Sequence, residues 1–135
     1  MTGLIWFVQL VHYPLMASVG AGRFVRYETI HQRRTSWIVG PMMSVELVTG
    51  VALVVIRPEM LPAALAWLNL GLLLVLWLST AGVQMPLHRQ LGKGLDARIV
   101  RRLVQTNWLR TAAWTARSAL LIGVMIDTNA GSLMR

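Results

Sequence analysis

The chain has 135 residues, enough for one domain. Apolar residues make up 56% of it and charged residues 13%, against about 25% charged in a typical soluble domain, which argues against an ordinary soluble globule. A net charge of +8 suggests nucleic acid when the protein is soluble; with this apolar content it reads instead as basic loops on a membrane protein, without a nucleic-acid partner. The absence of cysteine excludes disulfides, Cys-based metal centres and a thiol nucleophile.

Four apolar stretches follow in chain order, at about 3–22, 36–56, 64–85 and 103–126. Each approaches the ~20 residues that a helix needs to cross ~30 Å of hydrocarbon. Backbone groups in lipid must be satisfied internally, so the stretches predict helices. The expected fold is all-α: one transmembrane domain over 1–135, an integral membrane four-helix bundle running up-down-up-down. No positive residue precedes the first apolar run, so it is expected to be a retained helix and not a leader. No Gly or Pro lies between Arg23 and Arg34, which predicts that helix 1 continues past the membrane. Pro14 should kink helix 1. Pro58 and Pro62 should make a short, stiff connection between helices 2 and 3. Pro86 marks the inner end of helix 3 or a late kink, and Gly92-Lys93-Gly94 reads as the turn before helix 4.

The basic residues set an orientation. Arg23, Arg26, Arg33 and Arg34 follow helix 1, and Arg89, Lys93, Arg98, Arg101 and Arg102 follow helix 3. The opposite side holds Arg57 and Arg135. The positive-inside rule places both basic connections in the cytoplasm and both termini outside, in a multi-pass protein of the cell inner membrane. Trp6 and Trp67 then fall near the outer interface, and Trp37 and Trp108 near the inner one, as an aromatic belt. His31 and His88 fall among bases at the inner boundary, where anionic membrane lipid is the expected partner.

Polar residues inside the spans are costly and point to function. Gln9, His12 and Tyr13 share one face of helix 1, Glu46 stands at the centre of helix 2, and Asn69, Thr80, Gln84 and His88 form a stripe on helix 3. Asn107, Arg110, Trp114 and Arg117 form another stripe on helix 4. At ~1.5 Å rise per residue, His12, Glu46 and Arg117 fall near the midplane, and Arg110 about 8–10 Å closer to the cytoplasm. On this count Glu46 is the one buried acid, and His88 is too far from His12 and Glu46 to share a metal with them. The expected site lies between helices 1, 2 and 4 and opens to the cytoplasm. His12, Tyr13, Glu46, Asn107, Arg110 and Arg117 line it. Two arginines against one glutamate leave a positive charge that calls for an anion. Glu46 and Arg117 also read as an ion pair locking helix 2 to helix 4.

No HExxH, phosphate loop or nucleophile elbow is present, and the acids are too few for a di-iron site or a carboxylate pair. The remaining set suits an axially ligated haem, with His12 on the metal and the propionates on Arg110 or Arg117. It equally suits a quinone-like or other anionic ligand, with His12 or Glu46 passing protons as the catalytic groups. The expected function is therefore a redox-type membrane protein binding haem or a quinone- or porphyrin-like hydrophobic ligand. A non-enzymatic accessory subunit of a larger membrane complex, or a homo-oligomer, is the alternative.

The run His31-Gln32-Arg33-Arg34, then Ile38-Val39-Gly40-Pro41-Met42-Met43, then Thr49-Gly50 resembles the entry to helix 2 of the bacterial four-helix membrane protoporphyrinogen oxidases. His12, Arg33, Arg34, Pro41, His88 and Asn107 fall at places that match that family's layout. The resemblance implies a related bundle with haem b and His12 as its candidate ligand. The chain departs from the family in having no Lys in helix 3 and Leu15 after Pro14.

Overall fold

In the computed structural model, residues 1–59 and 61–133 are described, with side chains as far as Asp127. They form four helices and, among the described residues, no strand. Helix α1 starts as Thr2–Phe7, widens into a π-helical turn over Val8–His12 and ends with Tyr13–Met16. Helix α2 is Ala21–Val55. Helix α3 starts as Ala63–Ser79, passes through a second π-helical turn at Thr80–Gln84 and ends with Met85–Leu91. Helix α4 is Ala97–Leu133.

The two π turns explain how the prolines are carried. Pro14 and Pro86 each lie two residues after such a turn. The N–H of Tyr13 bonds Val8 O and that of Met85 bonds Thr80 O, each reaching back five residues. A proline has no N–H, and its ring clashes with the carbonyl four residues back in a regular helix. The wider turn absorbs both defects, so the kink expected at Pro14 is a π bulge and Pro86 lies inside a helix that continues to Leu91.

Helix 1 does not run on through the arginines. It stops at Met16, where Ser18 donates its hydroxyl to Leu15 O at 2.6 Å and the Val19 N–H reaches Met16 O at 3.2 Å. Gly20 is extended, and residues 21–34 form the first half of α2. The stretch is helical as expected, but it belongs to the next element. The last carbonyls of α1 find partners locally, which ends the helix without help from a Gly or Pro in the arginine run. Helix α4 starts at Ala97, earlier than 103, because Asp96 caps it: its carboxylate accepts the N–H of Arg98 at 2.7 Å.

Helix α3 packs against α2 and α4, and α1 packs against α4. Helices α2 and α3 run close together along their lengths, and at Gly50 the Leu73 side chain takes the space a Cβ would fill. Helices α1 and α2 have no such backbone approach, and side chains alone bridge them. One apolar cluster, around Tyr13, Phe24, Leu87 and Leu103, fills the end where α1 stops. A second, around Ile5, Met43, Leu73 and Trp114, fills the other. Between them runs a buried polar layer: Asn107 donates to Gln9 Oε1 at 2.8 Å, and Arg110 to Asn107 Oδ1 at 3.0 Å. Helices α2 and α3 are long and apolar enough to cross a membrane.

Candidate functional site

The gap between α1 and α2 is a cavity of about 380 Å³. Its walls are mostly apolar, from Ile5 and Val8 on α1, Val39 and Met43 on α2, and Trp77 on α3. Its polar end gathers His12 and Tyr13 from α1, His31 from α2, His88 and Arg89 from α3 and Arg110 from α4.

Three imidazoles meet there. The ring of His31 stacks on His12 at 4.5 Å between centroids and lies 5.3 Å from His88. Tyr27 stacks almost parallel to His31 at 6.2 Å. Behind them sits Glu28, fully buried. Its carboxylate accepts a hydrogen bond from His88 Nδ1 at 2.6 Å and one from Gln32 Nε2 at 3.0 Å, and Gln32 also donates to the His88 carbonyl at 2.8 Å. The other ring nitrogen of His88 lies 3.3 Å from the Tyr13 hydroxyl. His31 Nδ1 is paired with Thr35 Oγ1 at 3.1 Å.

The local charges follow from these contacts. Burial alone would raise the Glu28 carboxyl, but the His88 hydrogen bond and charge, then Gln32 and His31, outweigh it and leave it below its ordinary value. Burial first, then the neighbouring charges of His12 and His88, push His31 down to about 4, so it is neutral at physiological pH. Burial and the Glu28 charge raise the Tyr27 phenol. Arg110 is buried against the Trp114 ring at 5.0 Å. No carboxylate lies within ion-pair reach of it among the described residues.

The expected six-residue site therefore divides. His12, Tyr13 and Arg110 line the cavity. Glu46 and Arg117 do not; they face each other at 2.9 Å in a separate cluster, where Trp114 Nε1 donates to Glu46 at 2.8 Å and Arg117 Nε to Asn69 Oδ1 at 2.9 Å. Asn107 belongs to the polar layer that supports Arg110. The cavity opens between α1, α2 and α3, with α4 contributing Arg110, and not between helices 1, 2 and 4.

Two corrections explain the shift. His88 is not remote from His12, because α1 ends at Met16 and so carries His12 to the level of His31 and His88. Glu46 is not the one buried acid, because the first half of α2 packs on the end of α3 and buries Glu28. The signal for Glu28 was available in its spacing. Phe24, Glu28, His31 and Gln32 fall at i, i+4, i+7 and i+8, a helix face and not a solvated basic loop.

Among the described residues no three His, Asp or Glu side chains converge on a metal position. Haem requires less, a single imidazole nitrogen open to iron. His12 Nε2 is buried and has no hydrogen-bond partner, yet it presents essentially no accessible surface and its ring is stacked on His31. The Nε2 lone pair lies in the ring plane, clear of the stack, but with no accessible surface there iron at a bonding distance of about 2 Å, typical of metal–imidazole contacts, requires the ring or its neighbours to move. His12, His31, His88, Tyr13 and Arg110 offer a ligand in the cavity hydrogen bonds and positive charge.

No protein-family model, no curated protein and no solved structure matches the chain.

Proposed function

We propose that this chain is a multi-pass inner-membrane protein that binds a lipophilic, anionic molecule of the quinone or porphyrin class in the cavity between α1, α2 and α3. The proposed arrangement in the bilayer is up-down-up-down with both termini outside. Support comes from the two apolar helices, from the basic residues at one end of the bundle, and from wide apolar exposure on α2, where Trp37 is 78% exposed and Val55 76%.

The observation that carries the ligand reading is the match between cavity and ligand chemistry. An apolar-walled space of about 380 Å³ falls in the range of small-molecule sites, roughly 300–1,000 Å³. At its polar end stands a guanidinium with no carboxylate partner, and His12 Nε2, Trp77 Nε1 and Arg110 Nε are buried polar atoms without partners on residues of its wall. A buried cation is expensive in an apolar medium unless an anion meets it. The imidazole and phenol groups can exchange protons with a bound quinone-like head, which is the part of a redox role that these side chains supply.

The test is the absorption spectrum of the protein purified in mild detergent, followed by solvent extraction. A retained quinone-type chromophore that changes on borohydride reduction, weakened at least ten-fold in Arg110→Gln, supports the reading. A Soret band would show that haem is accommodated by movement of His12. Colourless protein that co-purifies stoichiometrically with larger subunits would replace the ligand reading with the accessory-subunit one.

A further inference from the structure

Glu28 is fully buried, is absent from the cavity wall, and has one carboxylate oxygen, Oε2, without a partner. A structural ion pair normally satisfies its carboxylate. Here the acid instead ends a directed chain of hydrogen bonds. Ionised Glu28 has no hydrogen to give, so His88 Nδ1–H donates to it at 2.6 Å. When the ring carries only that one hydrogen, the lone pair is on Nε2, 3.3 Å from the Tyr13 hydroxyl and free to accept its O–H; in the imidazolium the same nitrogen donates. Tyr13 and Arg110 both line the cavity wall. Gln32 holds both the Glu28 carboxylate and the His88 backbone, which fixes the ring between its two partners.

We infer that Glu28, His88 and Tyr13 form a proton relay that exchanges one proton with a hydroxyl-bearing ligand in the cavity. The inference rests on the cavity being a ligand site. The ligand class is a lipophilic molecule with an acidic ring hydroxyl, of the quinol or phenol type. When the ligand gives up its proton, its O–H bond breaks and the proton joins the Tyr13 oxygen, while the Tyr13 proton moves to His88 Nε2. The products are a ligand oxyanion beside Arg110 and an imidazolium paired with the Glu28 carboxylate. The reverse sequence returns the proton. Tyr13 touches the ligand; His88 and Glu28 act through it, as positioning and proton-storing groups. The titratable and charged groups around His88 are His12 and Tyr13 on α1, Tyr27, Glu28 and His31 on α2, Arg89 on α3 and Arg110 on α4.

The test uses the full chain in detergent and a long-chain 4-nitrophenol, whose phenolate band reports its ionisation. The pH is set where the free probe is half ionised, and an indicator dye follows protons released to the bulk. In the wild type the ratio of ionised to neutral bound probe should rise about ten-fold, equivalent to one pH unit, with no proton release. Tyr13→Phe removes one hydroxyl at nearly constant volume, and Glu28→Gln removes the counter-ion of the imidazolium. Each should still bind the probe, but the ratio should fall back toward the free value, or any ionisation that Arg110 sustains should release its proton to the bulk. A variant that keeps the wild-type ratio with no proton release overturns the relay while leaving the ligand reading intact. No binding of the probe by the wild type overturns the ligand reading itself, and the relay with it.

Discussion

Glu46 and Arg117 show how a charge is kept inside an apolar bundle. Arg117 meets Glu46 at 2.9 Å and Asn69 at 2.9 Å, and the Trp114 indole takes the second Glu46 oxygen at 2.8 Å. With its partners supplied from three helices, this cluster reads as a lock and not as chemistry. Glu46→Gln alone should cost roughly 3–5 kcal/mol, because it strands Arg117 in low dielectric; Arg117→Gln should cost less, because the Met1 ammonium still lies 3.8 Å from Glu46. The double variant should be less damaged than the worse single, as read from thermal unfolding in detergent; equal damage would speak for a functional role. His31 and Glu28 set the acid limit. An imidazole whose folded value is depressed from 6.5 to about 4 binds protons more tightly when unfolded. Its contribution is therefore fully present above 6.5 and is lost as pH falls from there toward 4. Glu28, lowered from 4.5, adds stability above that value that is lost as pH falls through its folded value. Melting temperatures should thus decline steadily from neutral pH into acid, and His31→Gln should flatten the upper part of that decline. A stability that rises on acidification would contradict the buried, neutral His31.

At the scale of the elements, the contact between α2 and α3 depends on Gly50, where a Cβ would overlap Leu73 and lie 3.3 Å or more from Asn69. Gly50→Ala should destabilise by about 1–3 kcal/mol, the usual cost of overpacking. Gly71→Ala, on α3 with open space around it, should be neutral or stabilising by up to about 1 kcal/mol. Chemical denaturation of the two variants side by side separates tight packing from helix propensity. The helices themselves were legible in the apolar runs, and the ion pair of Glu46 with Arg117 in their depths. The end of α1 was not, because Ser18 and Gly20 stop the helix through local bonds that no apolar count registers. That single break moved His12 away from the centre of its span and made the first half of α2 a packed face. His31 and His88 consequently moved from an expected headgroup boundary into the candidate site, with Glu28 buried behind them. The π turns were foreshadowed by Pro14 and Pro86, but a proline does not say whether a helix will bend, break or widen.

At the scale of the molecule, two features set what this chain can do: a bundle whose α1 and α2 stand apart, and a cavity in that gap with imidazoles and an unmatched guanidinium at one end. The proposed bilayer arrangement puts the basic ends of α2, α3 and α4 in the cytoplasm. A C-terminal reporter active only outside the cytoplasm should therefore be active, and an active cytoplasmic reporter would reverse the orientation. The central claim is that the gap holds a ligand. Gly40 lies on the cavity wall with no atom within 4 Å of a Cβ placed there, so Gly40→Phe should fill the space. Native mass spectrometry of the detergent-released protein compares the two chains directly. A discrete small-molecule adduct on the wild type, reduced at least ten-fold in Gly40→Phe, is the predicted result; bare protein mass for the wild type, or an adduct carried equally by both, would contradict it.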